Sequence, residues 1–361
     1  MKIILSSGGT LGPVAPLLAI AEVYRKKYPD VQFIWVGTKN GPEHELVAKY
    51  QIPFFVIAAG KWRRYYSWHN IFDLVNVLMA FVQSLFFLWR QKPNLLISAG
   101  GFVSVPLHWT AMLLGIRTWV HQQDVRPGLA NRLMALGATK MTVAIKESLK
   151  YFPRAEWIGN PVRDLKVENY LASKAKFNIP EKAITILAMG GGTGSIKINQ
   201  MVVEALGYWP TDWQVIHLVG KERPKESVAN AVKLFSNYHA YEFLAAEIKD
   251  AYAAADVVIS RAGFASLTEL SALKKAAIVI PMPDTHQEDN ARYLSKEKAV
   301  IYLDQRITTG LKLSKIVSDL VTDVIGRELM TKRLNEILPP AKEEKILEIT
   351  EALLLAKKVG K

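Results

Sequence analysis

The amino-acid sequence predicts an α/β protein made of two tandem, doubly wound Rossmann-like domains that face a cleft. Short apolar segments rich in β-branched residues alternate with helical segments over the whole chain, a pattern typical of βαβ units and parallel sheets. Glycine-rich turns follow several of these apolar segments. The alternation restarts after Gly159-Asn160-Pro161-Val162-Arg163, which indicates a second domain of the same class.

The same alternation predicts the domain boundaries. A chain of 361 residues is long enough for two domains with separate cores. We expect one domain at 1–160 and another at 161–340, with a charged helix at 341–358 that can pack back onto the first domain. The predicted strands are 2–6, 32–38, 54–58, 94–99, 117–122 and 140–145 in the first half, and 185–190, 214–220, 240–244, 256–260, 276–281 and 299–303 in the second.

Positive charge is concentrated in the first half of the chain. The net charge is +13, and residues 1–160 carry 18 Lys and Arg against 8 Asp and Glu, whereas the rest carries 28 against 25. This balance favours an anionic partner, although a basic soluble surface would give the same count. Because no recognised nucleic-acid-binding motif accompanies the charge, we expect an anionic membrane surface and no nucleic acid.

Cysteine and metal-ligand patterns limit the chemistry further. The chain has no cysteine, which excludes disulfides and thiolate metal sites and fits a reducing compartment. Its first strand runs straight into glycines, without the pattern of a signal peptide, so we expect a cytoplasmic protein. There is no D-x-D string and the seven histidines are scattered, so we expect no metal site.

Two glycine-rich turns are candidates for binding a diphosphate. Gly8-Gly9-Thr10-Leu11-Gly12-Pro13 follows the first strand, and Gly190-Gly191-Gly192-Thr193-Gly194-Ser195 follows the first strand of the second half. Each leads into a helix, whose exposed N–H groups and dipole attract anions. Neither carries the G-K-[ST] of a P-loop, and the first lacks the G-x-G-x-x-G spacing of a dinucleotide site. Either turn can equally be a tight connection between strand and helix and nothing more.

Polar side chains after two later strands suit a ribose and a sugar. In the segment 260–269, Glu269 can accept hydrogen bonds from both hydroxyls of a ribose, although an exposed helix acid would look the same. The segment 281–290 follows the next strand and contains His286, Gln287 and Asn290. Their imidazole and amide groups suit a polyhydroxylated sugar.

Taken together, these segments resemble the MurG family of bacterial peptidoglycan synthesis nearly from end to end. The more specific strings are Gly100-Gly101-Phe102-Val103-Ser104-Val105-Pro106 and Gly159-Asn160-Pro161-Val162-Arg163. The resemblance implies the GT-B glycosyltransferase architecture and transfer of N-acetylglucosamine from UDP-N-acetylglucosamine to lipid-linked muramyl-pentapeptide (lipid I), which gives lipid II. It implies an inverting, metal-independent reaction with no cofactor besides the donor substrate.

The resemblance also assigns roles by position. It implies that the donor is bound by Arg163, Gly191, Gly192, Thr193, Phe243, Leu244, Phe264, Glu269, His286, Gln287 and Asn290. Uracil would lie against the backbone near Phe243 and Leu244, the ribose at Glu269, and the diphosphate near Arg163 and residues 191–193. The undecaprenyl-diphosphate-linked acceptor would approach Gly9, Thr10, Gly12, Gly101 and Ser104.

The chain departs from the family pattern where the base is expected. The family's first turn reads Gly-Gly-Thr-Gly-Gly-His, and Pro13 stands in place of that histidine, a candidate base. The family string His-Glu-Gln-Asn is His121-Gln122-Gln123-Asp124 here, so a carboxylate stands in the fourth place. Our hypothesis is that Asp124 serves as the base for the acceptor hydroxyl, or helps to orient it. Alternatively, Asp124 only binds a sugar hydroxyl and the base is His121 or Glu269.

The segment 61–89 suggests membrane contact. Its first part interleaves cations with aromatic residues, including Trp62, Arg63 and Arg64, and its second part is an apolar helix with Phe81, Leu85 and Trp89. The apolar run is too short to span a bilayer and fits an interfacial helix, which predicts a peripheral protein on the cytoplasmic face of the cell membrane. A buried crossover helix is the alternative.

Three other functions stay open on the sequence. A UDP-N-acetylglucosamine 2-epimerase shares the two-domain architecture, and so do other lipid glycosyltransferases. A catalytically silent protein that binds sugar nucleotide or lipid is the third alternative, because Pro13 and Gln122 depart from the family pattern.

Overall fold

The computed structural model describes residues 1–9, 12–41, 43–58, 69–167, 169–191, 194–221 and 226–355, with the backbone alone for 69–75. The chain divides into two units. The first unit holds the residues up to Arg163 and those from Pro340 onward, and the second unit holds Asp164–Pro339.

The first unit is built on a seven-stranded parallel sheet in the order β3-β2-β1-β4-β5-β6-β7. Ile3, Ile4 and Leu5 of β1 are all fully buried. Such a continuous apolar run is required where helices cover both faces of a parallel sheet. The strands are β1 (Lys2–Ser6), β2 (Gln32–Gly37), β3 (Phe54–Val56), β4 (Leu95–Ser98), β5 (Arg117–Gln122), β6 (Lys140–Val143) and β7 (Glu156–Trp157).

Helices connect these strands, as a parallel sheet requires. They are α1 (Val14–Lys27), α2 (Glu43–Lys49), α3 (His69–Gln91), α4 (Ser104–Leu113) and α5 (Leu129–Ala135), followed by a 3-10 helix at Lys146–Tyr151. Helix α3 packs against α4.

The second unit repeats the design with six parallel strands in the order β10-β9-β8-β11-β12-β13. The strands are β8 (Thr185–Met189), β9 (Gln214–Leu218), β10 (Tyr238–Tyr241), β11 (Val257–Ser260), β12 (Ala276–Val279) and β13 (Ile301–Tyr302). The helices are α6 (Tyr170–Lys176), α7 (Ile196–Leu206), α8 (Glu226–Leu234), α9 (Ile248–Ala254), α10 (Phe264–Ala272), α11 (His286–Lys296), α12 (Gly310–Thr322) and α13 (Val324–Ile337). The predicted pair of doubly wound parallel sheets is confirmed.

The last helix, α14 (Glu343–Leu355), lies against α1 in the first unit. Its Ile346, Ile349 and Leu353 are buried in the core that α1 also faces. This apolar contact holds the helix, because the ion pairs beside it, such as Lys26–Glu343 at 2.7 Å, are solvent-exposed and contribute little.

One predicted strand is shifted along the chain. The prediction placed it at 240–244, whereas β10 covers Tyr238–Tyr241. Tyr238 is buried and pairs with Val215 of β9, so the strand begins earlier. Glu242 lies past its end and offers its carbonyl oxygen to the Gly220 amide.

Each sheet has one point at which the order of strands along the chain reverses. It lies between β1 and β4 in the first unit and between β8 and β11 in the second. In open parallel sheets, ligands bind outside the carboxyl ends of the strands at this point. Both predicted diphosphate turns follow a strand that borders one of these switch points.

Candidate functional site

The glycine turn of the second unit connects β8 to α7. A Cβ added at Gly190 would clash with the Ser195 amide, and one added at Gly194 would clash with the carbonyl of Val219. These two glycines are therefore required for a tight turn. Gly191 differs, because it has a φ of +83° and the nearest atom to an added Cβ is Arg261 Cγ at 4.0 Å. With respect to the described residues, which do not include Gly192 and Thr193, the turn is thus open at Gly191.

Arg261 is a candidate site residue that the sequence analysis did not single out. It follows β11, the strand next to β8, and its Nη2 donates a hydrogen bond to Oγ of Ser195 at 2.6 Å. Ser195 is the N-cap of α7 and accepts a second hydrogen bond from the amide of Ile198 at 3.3 Å. A cation thus lies beside the N-terminus of a helix, where an anion is favoured already. The signal in the sequence was a cation directly after a strand that borders the switch point.

Glu269 lies on α10 and is almost completely buried. Its Oε2 accepts a hydrogen bond from the hydroxyl of Tyr252 at 2.9 Å. Tyr252 is fully buried and fixes the carboxylate. Phe264 begins the same helix and is also buried. A fixed carboxylate at this place can accept hydrogen bonds from a ribose.

The segment after β10 carries the two residues that were predicted near uracil. Leu244 is buried, whereas Phe243 is 46% exposed. The ammonium nitrogen of Lys221, which follows β9, lies 5.8 Å from the centre of the Phe243 ring. Both residues follow the carboxyl end of β10.

The start of α11 carries the predicted sugar-binding residues. Thr285 caps the helix by accepting a hydrogen bond from the amide of Gln287 at 3.3 Å, and Gln287 Oε1 accepts one from the amide of Met282 at 3.2 Å. His286 begins the helix, and Asn290 is fully buried one turn later. These hydrogen bonds hold the N-terminus of α11 in place, and the Gln287 side chain takes part in them.

The glycine turns of the first unit pack directly on each other across its switch point. Gly101 has a φ of +101°, and an added Cβ would come within 2.8 Å of the Gly8 amide nitrogen. Oγ of Ser104 lies 2.9 Å from Oγ of Ser6 at the end of β1. The structure thus brings Gly101 and Ser104 against the end of β1 and the glycines that follow it, and Gly12 lies shortly before α1. Thr10 lies outside the described residues.

A carboxylate below the first glycine turn was also missed by the sequence analysis. Glu43 is completely buried. Its Oε1 accepts hydrogen bonds from the amide and the hydroxyl of Thr38, at 2.9 and 2.6 Å, and its Oε2 lies 3.4 Å from the amide nitrogen of Gly9. Glu43 therefore connects the end of β2 with the turn that follows β1.

His121 lies inside the first unit's sheet. It is fully buried on β5, with Nε2 2.8 Å from Oδ1 of Asn160 and Nδ1 2.8 Å from Oγ1 of Thr142. Because the amide oxygen can only accept, Nε2 carries the proton and Nδ1 accepts from the threonine hydroxyl. Burial lowers the pKa of His121 to about 4. Both ring nitrogens are thus engaged by protein groups.

Asp124 lies half-buried in the loop after β5. Its carbonyl oxygen accepts a hydrogen bond from Nε2 of Gln122 at 2.7 Å. Oε1 of the same Gln122 side chain accepts a hydrogen bond from Nδ2 of Asn131 at 2.6 Å. A glutamate, the family residue at 122, could not donate to a carbonyl. Gln123 Nε2 donates to the carbonyl of Gly12 at 3.4 Å. The Asp124 loop is therefore tied to the first glycine turn.

Helix α3 presents an apolar face to solvent. Ala80, Ser84, Phe87 and Leu88 form its buried side, and Phe81 is half-buried. Leu78, Val82, Leu85, Phe86 and Trp89 are exposed and recur at helical spacing on the other side. No helix within the described part of the chain is long and apolar enough to cross a membrane. Trp62, Arg63 and Arg64 lie outside the described residues.

Two further predictions concern Arg163 and metal ligands. Arg163 is half-buried and is the last residue of the first unit before the chain enters the second. Within the ranges that the structure describes, no three His, Asp or Glu side chains are grouped so that they could hold a metal ion.

Comparison with known proteins identifies the family. Residues 3–143 match the glycosyltransferase family 28 N-terminal domain, and residues 185–343 match the corresponding C-terminal domain. The UDP-N-acetylglucosamine–N-acetylmuramyl-(pentapeptide) pyrophosphoryl-undecaprenol N-acetylglucosamine transferase of Alkaliphilus oremlandii is 30% identical over 334 residues, which cover 90% of this chain and 91% of that protein.

Solved structures show the same fold. MurG of Acinetobacter baumannii superposes with a TM-score of 0.74 at 22% identity, covering 97% of this chain and 99% of that one. A UDP-GlcNAc 2-epimerase of Neisseria meningitidis superposes with a TM-score of 0.65 at 13% identity, covering 98% of this chain and 100% of that one. Because the fold is common to both, the sequence relationship decides between them. The chain belongs to the MurG family of glycosyltransferases, as the resemblance of its motifs predicted.

Proposed function

We propose that this protein transfers N-acetylglucosamine from UDP-N-acetylglucosamine to lipid-linked muramyl-pentapeptide, in an inverting and metal-independent reaction. The observation that carries the proposal is the open turn at Gly191, where Arg261 lies against the N-cap of α7 at the switch point of the second sheet. This place offers a cation, a hydroxyl and a helix N-terminus to a diphosphate. The full-length sequence relationship to transferases with this substrate pair supports the choice of donor and acceptor.

The donor is expected to lie along the carboxyl edge of the second sheet. Glu269, fixed by Tyr252, accepts hydrogen bonds from the ribose hydroxyls, and uracil lies by Phe243 and Leu244. Gln287 and its neighbours on α11 bind the sugar. Arg163 and the turn with Gly192 and Thr193 complete the diphosphate site in this proposal.

In the transfer step, the acceptor hydroxyl oxygen forms a bond to the anomeric carbon as the bond from that carbon to the diphosphate oxygen breaks. The hydroxyl proton passes to the base, and UDP leaves with its added negative charge. Arg261 and the N-terminus of α7 stabilise that charge without reorganising, because both are already in place. Holding donor and acceptor together supplies much of the remaining rate enhancement.

We propose Asp124 as the base. Its loop is tied to the first glycine turn through Gln123 and Gly12, which is where the acceptor is expected to approach. His121 is less suited to the role, because its nitrogens bond to Thr142 and Asn160 and burial lowers its pKa to about 4. Glu269 is engaged by Tyr252 in the other unit.

We also propose that the exposed apolar face of α3 attaches the protein to the cytoplasmic face of the cell membrane. Val82, Phe86 and Trp89 are each more than 60% exposed, and the neighbouring α4 ends with the exposed Leu113. An apolar face of this kind binds the boundary between headgroups and acyl chains. The basic balance of the first half of the chain favours anionic lipids as the partner, and the acceptor would be met in the same membrane.

The function is tested with purified protein, UDP-N-acetylglucosamine and a short-chain analogue of lipid I. The expected products are the disaccharide-linked lipid and UDP. Epimerised sugar nucleotide formed without acceptor would favour the epimerase alternative. Binding of UDP without any product, with acceptor present, would favour a catalytically silent protein.

A further inference from the structure

The loop after β13, residues 303–308, holds Arg261 in position. Nη1 of Arg261 donates to Oε1 of Gln305 at 2.7 Å and to the carbonyl oxygen of Ile280 at 2.9 Å, while Nη2 donates to Oγ of Ser195 at 2.6 Å. The guanidinium thus connects the turn after β8 with the segments that follow β12 and β13. Because a guanidinium is planar, partners on both terminal nitrogens fix its orientation.

The same contacts fix the hydroxyl of Ser195. A serine hydroxyl can accept two hydrogen bonds and donate one. Ser195 Oγ already accepts from Arg261 Nη2 and from the amide of Ile198, so its proton is left to be donated. Arg261 therefore makes Ser195 a hydrogen-bond donor at the N-cap of α7, beside the open turn at Gly191.

The loop that carries Gln305 is itself held firmly. The carbonyl of Asp304 accepts hydrogen bonds from the amides of Ile307 and Thr308, at 3.2 and 3.1 Å. Arg306 Nη2 lies 2.9 Å from Oε1 of Glu288, in the first turn of α11. Gln305 and Arg306 are adjacent in the chain, so one loop supports both the phosphate end and the sugar end of the candidate donor site.

We propose that Gln305 is a positioning residue for the donor diphosphate, acting through Arg261. Gln305 is neutral, so it orients the guanidinium and leaves its charge available to the phosphate oxygens. A carboxylate in its place would keep the hydrogen bond but offset that charge. This inference rests on the proposed function, since it requires a nucleoside-diphosphate sugar as donor.

The test compares UDP with uridine, which lacks the diphosphate. Dissociation constants are measured by titration calorimetry for the full chain and for Gln305→Ala and Gln305→Glu. Gln305→Ala is expected to weaken UDP binding about tenfold, the usual effect of losing a hydrogen bond to a charged group. Gln305→Glu is expected to weaken UDP binding although it keeps an acceptor oxygen, and uridine binding is expected to stay unchanged in both. Ile307→Ala, on the same loop and 71% exposed, is the matched control and should bind UDP as the unsubstituted protein does.

Several outcomes would overturn the inference. An unchanged UDP affinity in either Gln305 variant would overturn it. The Arg261 guanidinium would then either act without help from Gln305 or make no contact with the diphosphate. Equal losses for uridine and UDP would also do so, since they would indicate a general disturbance of the unit. Failure of the unsubstituted protein to bind UDP is a separate result and refutes the proposed donor itself.

Discussion

At the scale of single residues, Asp124 and His121 are two candidate bases only three positions apart in the sequence. Their surroundings in the structure differ. His121 has a structural role, because its ring on β5 is hydrogen-bonded to Thr142 and Asn160 inside the first unit. Asp124 is half-buried in a loop that Gln122, Gln123 and Ser148 hold in place. A base must reach the substrate proton, and position therefore favours Asp124.

We predict that Asp124→Asn lowers kcat by about 10²- to 10⁴-fold, the usual contribution of a general base. The affinity for UDP should not change, because Asp124 is proposed to act on the acceptor hydroxyl and not on the nucleotide. Turnover is measured with the lipid I analogue, and UDP binding by calorimetry. Glu147→Gln, a nearby carboxylate, is the control. An unchanged kcat in Asp124→Asn would remove Asp124 from this role.

Glu43 supports a second prediction about the acceptor. In Glu43→Gln, one carboxylate oxygen becomes an N–H₂ group that must face the amide of either Thr38 or Gly9. Two hydrogen-bond donors would then point at each other, which disturbs the first glycine turn. The KM for the acceptor should therefore rise about tenfold. The KM for the donor should stay constant. Glu45→Gln, an exposed residue of the same helix, is the control. If both KM values rise together, Glu43 is only structural.

At the scale of elements, helix α3 has one side that is buried in the first unit and an opposite side that is apolar and exposed. Ala80, Ser84 and Phe87 on one side are buried, while Val82, Phe86 and Trp89 on the other are exposed. The sequence showed a helix that is apolar nearly all round, and the buried side accounts for only part of that pattern. We propose that the remaining apolar side binds a lipid interface, which fits its composition.

We predict that Val82→Ser combined with Phe86→Ser weakens binding to phosphatidylglycerol vesicles about tenfold or more, because both side chains lose apolar area to bury. Binding is measured by vesicle co-sedimentation. A double variant of exposed residues on α8, Val232→Ser with Leu234→Ser, is the control and should bind as before. Equal binding by all three proteins would contradict the proposed attachment through α3.

At the scale of the whole molecule, three buried histidines make stability sensitive to acid in both units. Burial lowers the pKa of His108 to about 3, of His121 to about 4 and of His217 to about 3. The unfolded chain, in which a histidine has a pKa near 6.5, binds more protons than the folded chain between that pH and the folded pKa. The contribution of these groups to the free energy of unfolding is therefore fully present above about pH 6.5. It falls as the pH is lowered, towards 4 for His121 and towards 3 for His108 and His217.

His108→Leu tests this dependence. Both ring nitrogens of His108 are buried, and among the described residues neither has a hydrogen-bond partner, so replacing the ring with an apolar side chain should not destabilise the fold at neutral pH. Between pH 6 and pH 5 the variant should lose about 1.2 kcal/mol less stability than the unsubstituted protein. Urea unfolding at the two pH values measures this difference. Equal losses would show that His108 is not the acid-sensitive group.

From the amino-acid sequence we could predict the two doubly wound sheets, nearly all of their strands, the glycine turns and the family. These features depend on the spacing of apolar residues and on turn chemistry, which are local properties of the chain. The start of β10, two residues earlier than predicted, depends on a distant partner, because Tyr238 pairs with Val215. Three features could be seen only in the folded structure. Among the described residues, Gly191 has free space around it that Gly190 and Gly194 lack, His121 is enclosed, and Arg261 contacts both Ser195 and Gln305. Those contacts join residues that lie tens of positions apart in the sequence. They exist only because the order of strands brings the ends of β8, β11, β12 and β13 to one edge of the sheet.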